Sequence, residues 1–180
     1  SEASKRIRVV MSQEMVRMVK YEETGESYPM DLLEPEIPTY SDLAPTPRRG
    51  LYDHAICDSN IEVNFAKDLD AQNIVRVFVK LPSTYKIPMP FGGTYNPDFA
   101  LLVQKKNLDD ASDTKQFYFT IETKGAAEFE KLKEEEKLKI QCAIRHFEAI
   151  GLKGYLAPVD NLQSFDIKAQ ERVGETFFVQ

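Results

Sequence analysis

Apolar residues in this chain follow two periods, and each period predicts a different kind of element. In the middle of the chain the runs are short and rich in β-branched and aromatic residues. Phe99-Ala100-Leu101-Leu102-Val103 and Phe117-Tyr118-Phe119-Thr120-Ile121 flank the polar segment 105–116, so they predict two antiparallel strands joined by a loop. Val75-Arg76-Val77-Phe78-Val79 predicts a strand over 75–81 beside the first of these, at the sheet centre. On either side the spacing becomes helical. Val63, Phe65, Ala66 and Leu69 follow Ser59 and Glu62, an S-x-x-E pair that caps a helix start. Phe129, Leu132, Ile140, Ala143, Ile144, Phe147 and Ile150 recur every three or four residues and predict a long helix over 126–150, with Gly151 as its stop. Residues 153–157 then predict a strand parallel to the one ending at Glu122, if the intervening helix is a right-handed crossover.

The two ends of the chain carry weaker patterns. Ile7-Arg8-Val9-Val10 and Val16-Arg17-Met18-Val19 predict one or two strands within 7–21, and Phe177-Phe178-Val179 predicts an edge strand. Pro29, Pro35, Pro38, Pro45 and Pro47 turn 28–50 into an extended connector. The resulting expectation is an α/β fold: a central mixed β-sheet of about four or five strands flanked by helices. A β-containing N-terminal arm and Pro-rich connector would occupy 1–50, and the domain proper 51–180.

Composition narrows the function classes. A length of 180 residues suits one domain with an appendage. The net charge of -6 has the wrong sign for a chain that grips nucleic acid tightly unaided. Cys57 and Cys142 form no C-x-x-C pair, which argues against structural zinc and a disulfide framework. No apolar run approaches bilayer length and no signal-like start is present, so a cytoplasmic protein without a membrane partner is expected.

Three charges stand out against this background. Asp98 precedes one strand of the hairpin, while Glu122 and Lys124 lie two apart at the end of the other and project to the same side. Gly92-Gly93 permits a tight turn just ahead of them. Two hard carboxylates suit Mg²⁺, and a neighbouring ammonium can orient a nucleophile or stabilise charge on phosphorus. The bland alternative is a cross-strand ion cluster, but exposed ion pairs contribute only about 0–1 kcal/mol and give little reason to gather where strands end. Lys80 and Lys86 suit either DNA phosphate contacts or a solvated loop. Glu62 is accounted for by the capping box alone.

Pro97-Asp98 and Glu122-Thr123-Lys124 resemble the two halves of the PD-(D/E)XK nuclease signature. Lys80-Leu81-Pro82, Tyr85-Lys86-Ile87-Pro88, Gly93-Thr94-Tyr95-Asn96-Pro97-Asp98 and Glu122-Thr123-Lys124-Gly125 are similar, in that order, to the C-terminal endonuclease domain of the restriction (Res) subunit of type III restriction-modification enzymes. The likeness runs over about 52–155, with Phe99 where many relatives carry Trp. It implies a PD-(D/E)XK restriction-endonuclease-like fold and a Mg²⁺-dependent endonuclease, with Mn²⁺ able to substitute, that hydrolyses double-stranded DNA. Asp98 and Glu122 would hold the metal with the Thr123 backbone carbonyl as a further ligand, and Lys124 would position water or stabilise the transition state. The resemblance would add Glu62 as a second-rank ligand and Gln141 as a supporting residue. It also implies a methyltransferase (Mod) subunit that chooses the sequence and a helicase motor in a longer polypeptide. No G-x-x-x-x-G-K-[ST] phosphate loop occurs in these residues, so ATP is expected to enter only through that motor. The rival readings are a catalytically silent docking domain of the same fold, and a repair or recombination nuclease fused to another motor.

Overall fold

The longest apolar runs become the middle of a four-stranded sheet. In the computed structural model, which describes residues 2–25, 47–52, 55–106 and 114–178, β4 (Phe99–Lys106) pairs antiparallel with β5 (Thr114–Thr123), Phe99 opposite Ile121. Outside β4 lies β1 (Val75–Lys80), antiparallel, with Lys80 opposite Phe99. Outside β5 lies β6 (Tyr155–Val159), parallel. The order β1-β4-β5-β6 makes the sheet mixed, as expected, but places β1 at its edge rather than its centre. Strand β1 is apolar because one face is packed and because segment 49–51 covers its outer rim: the Phe78 N–H donates to the Arg49 carbonyl, and the Leu51 N–H to the Phe78 carbonyl.

Alternation along the strands assigns the two faces. Phe99, Leu101 and Val103 of β4, with Phe119 and Ile121 of β5, pack against α2 (Asn60–Ala71) and α4 (Leu162–Val173) through Phe65, Leu69, Phe165 and Ala169. The other face carries α3 (Glu134–Ala149), whose Ile140, Ala143 and Phe147 meet Tyr155 and a two-stranded ribbon of β2 (Ile87–Pro88) and β3 (Thr94–Tyr95). Gly92 and Gly93, at φ 95° and 80°, make the turn of that ribbon, a conformation that side chains rarely adopt. Burial of these apolar faces is the main favourable term holding the layers together.

Three further expectations change. Segment 7–21 is not a β arm: α1 (Glu2–Met18) is a helix, because Ser12 and Val16 repeat at helical spacing and bury against Leu138 and Cys142 of α3. Its Met, Arg, Lys, Glu and Gln residues favour helix, and outweigh the few β-branched positions. The long helix begins at Glu134 rather than 126. A short 3-10 turn occupies Phe129–Lys131 instead, and Glu134, Glu135 and Glu136 supply the acidic first turn a helix start favours. Phe177 and Phe178 form no strand. Their N–H groups donate to Asp166 of α4 and their rings pack against Phe165. Most of the Pro-rich connector (26–46), and Val179, lie outside the described residues. No helix among those described is long and apolar enough to cross a membrane.

Candidate active site

Register alone brings the signature residues to one end of the sheet. Pairing of Phe99 with Ile121 continues to place Asp98 across from Glu122. Asp98 sits between its neighbours through the backbone, its N–H donating to the Ile121 carbonyl and its own carbonyl accepting from the Leu81 N–H. Asn96 fastens the approach to it by donating to the carbonyls of Pro82 and Tyr85. Both carboxylates therefore hang from strand ends that the core already fixes.

Each carboxylate organises its own half of the site. Asp98 Oδ2 accepts from the Thr123 N–H and from Thr123 Oγ1, both at 2.7 Å. Its Oδ1 takes the Lys80 ammonium at 2.8 Å, and the same Nζ lies 2.9 Å from Glu62 Oε2. Exposures of 10% for Lys80, 9% for Glu62 and 14% for Asp98 make this an interior triad rather than a surface one. On the α3 side, Glu122 Oε1 receives Lys124 Nζ at 2.8 Å and Oε2 receives the Tyr95 O–H at 2.5 Å. Glu136 of α3 stands 3.5 Å from the Lys124 ammonium.

The electrostatics follow from burial and from the surplus of acids. Desolvation and the nearby Asp98 charge push the Glu122 carboxyl up to about 7, against the lowering pull of Lys124 and Tyr95. Burial by itself would depress Lys80 and Lys124. Asp98 and Glu62 more than reverse this at Lys80, and Glu122, Glu136 and Asp98 do so at Lys124, so both ammoniums keep their protons more firmly than a free lysine. Four carboxylates face two ammoniums, which leaves the ionised cluster two negative charges from neutrality. Among the described residues, no three His, Cys, Asp or Glu side chains are grouped to hold a metal. The acids paired with the two ammoniums offer hard oxygens, the donor type a divalent cation prefers.

The other sequence candidates divide. Glu62 serves the α2 cap, Ser59 Oγ accepting its N–H, and its carboxylate is paired with the Lys80 ammonium beside Asp98. Thr123 acts on Asp98 through its amide and hydroxyl. Lys80 is placed differently from the expectation of a DNA phosphate contact, since its ammonium is enclosed between two acids. Lys86 is exposed just ahead of β2. Gln141 is not at the site: it is exposed and, with Lys137 and Arg145, lines the groove between α3 and α1. Tyr95, Tyr155 and Glu136 were missed. Only Glu136, four residues before buried Ile140 on the helix face that meets the sheet, carried a usable signal.

Comparison with known proteins identifies the family. Residues 48–163, more than half of the chain, match a family described as "Endonuclease domain". The EcoPI Res subunit of Escherichia phage P1 and the EcoP15I Res subunit of Escherichia coli, both of type III restriction-modification enzymes, are each 37% identical over 101 residues. That alignment takes in 56% of this chain and 10% of each relative, so the chain spans about a tenth of their length. No solved structure matches. With its signature acids and lysine gathered at one end of a mixed sheet, and with this match across the whole sheet, α2 and α3, the chain belongs to the endonuclease-domain family and is related to the Res subunits of type III restriction-modification enzymes.

Proposed function

We propose that this endonuclease domain hydrolyses DNA phosphodiester bonds in a reaction that depends on Mg²⁺, with Mn²⁺ able to substitute. The observation that carries the reading is the meeting of Asp98, Glu122 and Lys124, close enough for the Asp98 charge to act on both of the others. Asp98 and Glu122 would hold the ion, and the Thr123 carbonyl is the further ligand proposed. Such an ion lowers the pKa of a bound water and neutralises charge on a phosphoryl oxygen. Lys124, fully protonated, is suited to orient the nucleophile and to stabilise charge building on phosphorus, not to remove a proton. Thr123 and Tyr95 hold the two carboxylates in place, and Lys80 balances Asp98 and Glu62 until a cation arrives. Lys86 is exposed and free in direction to approach a DNA phosphate.

Substrate delivery would lie elsewhere. The relatives are Res subunits of type III restriction-modification enzymes, and the setting proposed from the sequence resemblance is a Res subunit whose helicase motor uses ATP and whose Mod partner selects the sequence on double-stranded DNA. The test is cleavage of a duplex by the full-length subunit with its partners. Asp98→Asn keeps an acceptor for Thr123 and leaves Glu62 to balance Lys80, so the protein should still fold, while cleavage falls by roughly a hundredfold or more. Unchanged cleavage would overturn the proposal and favour a docking role.

A further inference from the structure

We propose that Tyr95, backed by Tyr155, is a positioning residue for Glu122: its phenol fixes the orientation in which that carboxylate meets a divalent cation. The inference deepens the reading of Glu122 as a metal ligand and rests on it.

The geometry is a one-way chain of hydrogen bonds. Tyr95 closes β3 and Tyr155 opens β6, and both rings are sunk in the α3-side core, 4% and 3% exposed. The Tyr95 oxygen lies 2.5 Å from Glu122 Oε2 and 2.8 Å from the Tyr155 oxygen. A phenol has one proton, and an ionised carboxylate accepts only. With Glu122 ionised, the state that would hold a cation, Tyr95 donates to it, which obliges Tyr155 to donate to Tyr95. Neither hydroxyl can turn to water, since a buried hydroxyl without a partner is costly.

The rings that carry these hydroxyls cannot swing away. Tyr155 stacks on Phe147 of α3 with centroids 5.1 Å apart and planes 19° from parallel. Tyr95 is held by the β2–β3 ribbon, opposite Ile87, which is fully buried. Burial also keeps both phenols protonated, raising them well above an ordinary tyrosine. Glu122 is thus gripped on one oxygen from β3 and on the other by Lys124. The two donors occupy one direction at each oxygen and leave the remaining lone pairs for a cation. Partners behind metal ligands orient them in this way, and their loss typically costs ten- to a hundredfold in metal affinity.

The experiment is Mn²⁺ binding to the 180-residue chain, read as loss of the free Mn²⁺ resonance by electron paramagnetic resonance, with circular dichroism melts run alongside. The proteins are wild type, Tyr95→Phe, Tyr155→Phe, Glu122→Gln and the two double variants that combine each Tyr change with Glu122→Gln. Expected is an affinity loss of about tenfold or more in Tyr95→Phe and a smaller loss in Tyr155→Phe. Neither change should weaken the residual binding of Glu122→Gln any further. Near wild-type binding by Tyr95→Phe, with binding lost in Glu122→Gln, overturns the positioning role and leaves the ligand reading standing. Wild-type binding by Glu122→Gln overturns both. A Tyr95→Phe loss of equal size in the Glu122→Gln background marks a merely structural tyrosine and also overturns the proposal. Should Tyr95→Phe fail to fold, Tyr155→Phe decides: a loss that vanishes in the Glu122→Gln background supports the chain, and no loss overturns it.

Discussion

Glu122 shows how little a residue's chemistry is its own. Its sequence context is a strand end followed by a lysine, and nothing in it announces a carboxyl pushed up to about 7. The cause is tertiary: burial plus the Asp98 charge. A stability prediction follows with a definite sign. An unfolded glutamate ionises near its ordinary value of about 4.5, so from there up to about 7 the unfolded chain loses its proton while the folded one retains it. Metal-free folding should lose stability across that window, by roughly 3 kcal/mol at most, and be flat above it. His146, held low by burial, contributes the opposite slope in the same region. The measurement is therefore the difference between wild type and Glu122→Gln in denaturant unfolding from pH 4.5 to 8 without metal. A pH-independent difference would place the Glu122 carboxyl in its ordinary range. Lys80 teaches the same lesson: its strand position was legible, but its enclosure by acids was not.

At the scale of elements, the site is a joint between α2 and the strand ends. Lys80 of β1 reaches both Glu62 on α2 and Asp98 beside β5, so it ties a helix to two strands. Lys80→Met keeps an apolar stem of similar length but removes the charge, and with it the ammonium over the Phe99 ring. It should cost about 3 kcal/mol or more, because two buried acids lose their counter-ion. Added Mg²⁺ or Mn²⁺ should then raise the melting temperature of Lys80→Met by more than that of wild type. Equal shifts in the two proteins would show that the ion does not take the ammonium's place. The hairpin β4–β5, the capped α2 and the parallel β6 were all legible, since each rests on a local run and its punctuation. Helix α1 was misread because Val9-Val10 and Val16 imitate a strand, and its true partner, Leu138, lies far along the chain.

For the whole molecule, the charge of -6 decides what the chain can do unaided. Non-specific DNA binding comes from neutralising phosphates with cations, and here the cations at the site are already engaged by acids. In fluorescence anisotropy at physiological salt, a labelled duplex is expected to bind the isolated chain no more tightly than about 1 μM, the tight limit of the usual non-specific range. Sub-micromolar binding would mean that the domain carries its own DNA grip and would weaken the case for delivery by other parts of a longer protein. Sequence by itself determined the four strands of the central sheet, the polar segment between β4 and β5 and the residues proposed to hold a hard cation, because alternation, propensity and side-chain chemistry are local properties. It also determined that Asp98 and Glu122 would meet, since strand register converts separation along the chain into adjacency. Only the tertiary structure decided which charges are buried together, that Lys80 faces inward, that Gln141 faces a different groove, and that two tyrosines stand behind Glu122. Those outcomes depend on how helices and strands from distant parts of the chain are layered, and desolvation, which sets their energies, exists only once the layers have closed.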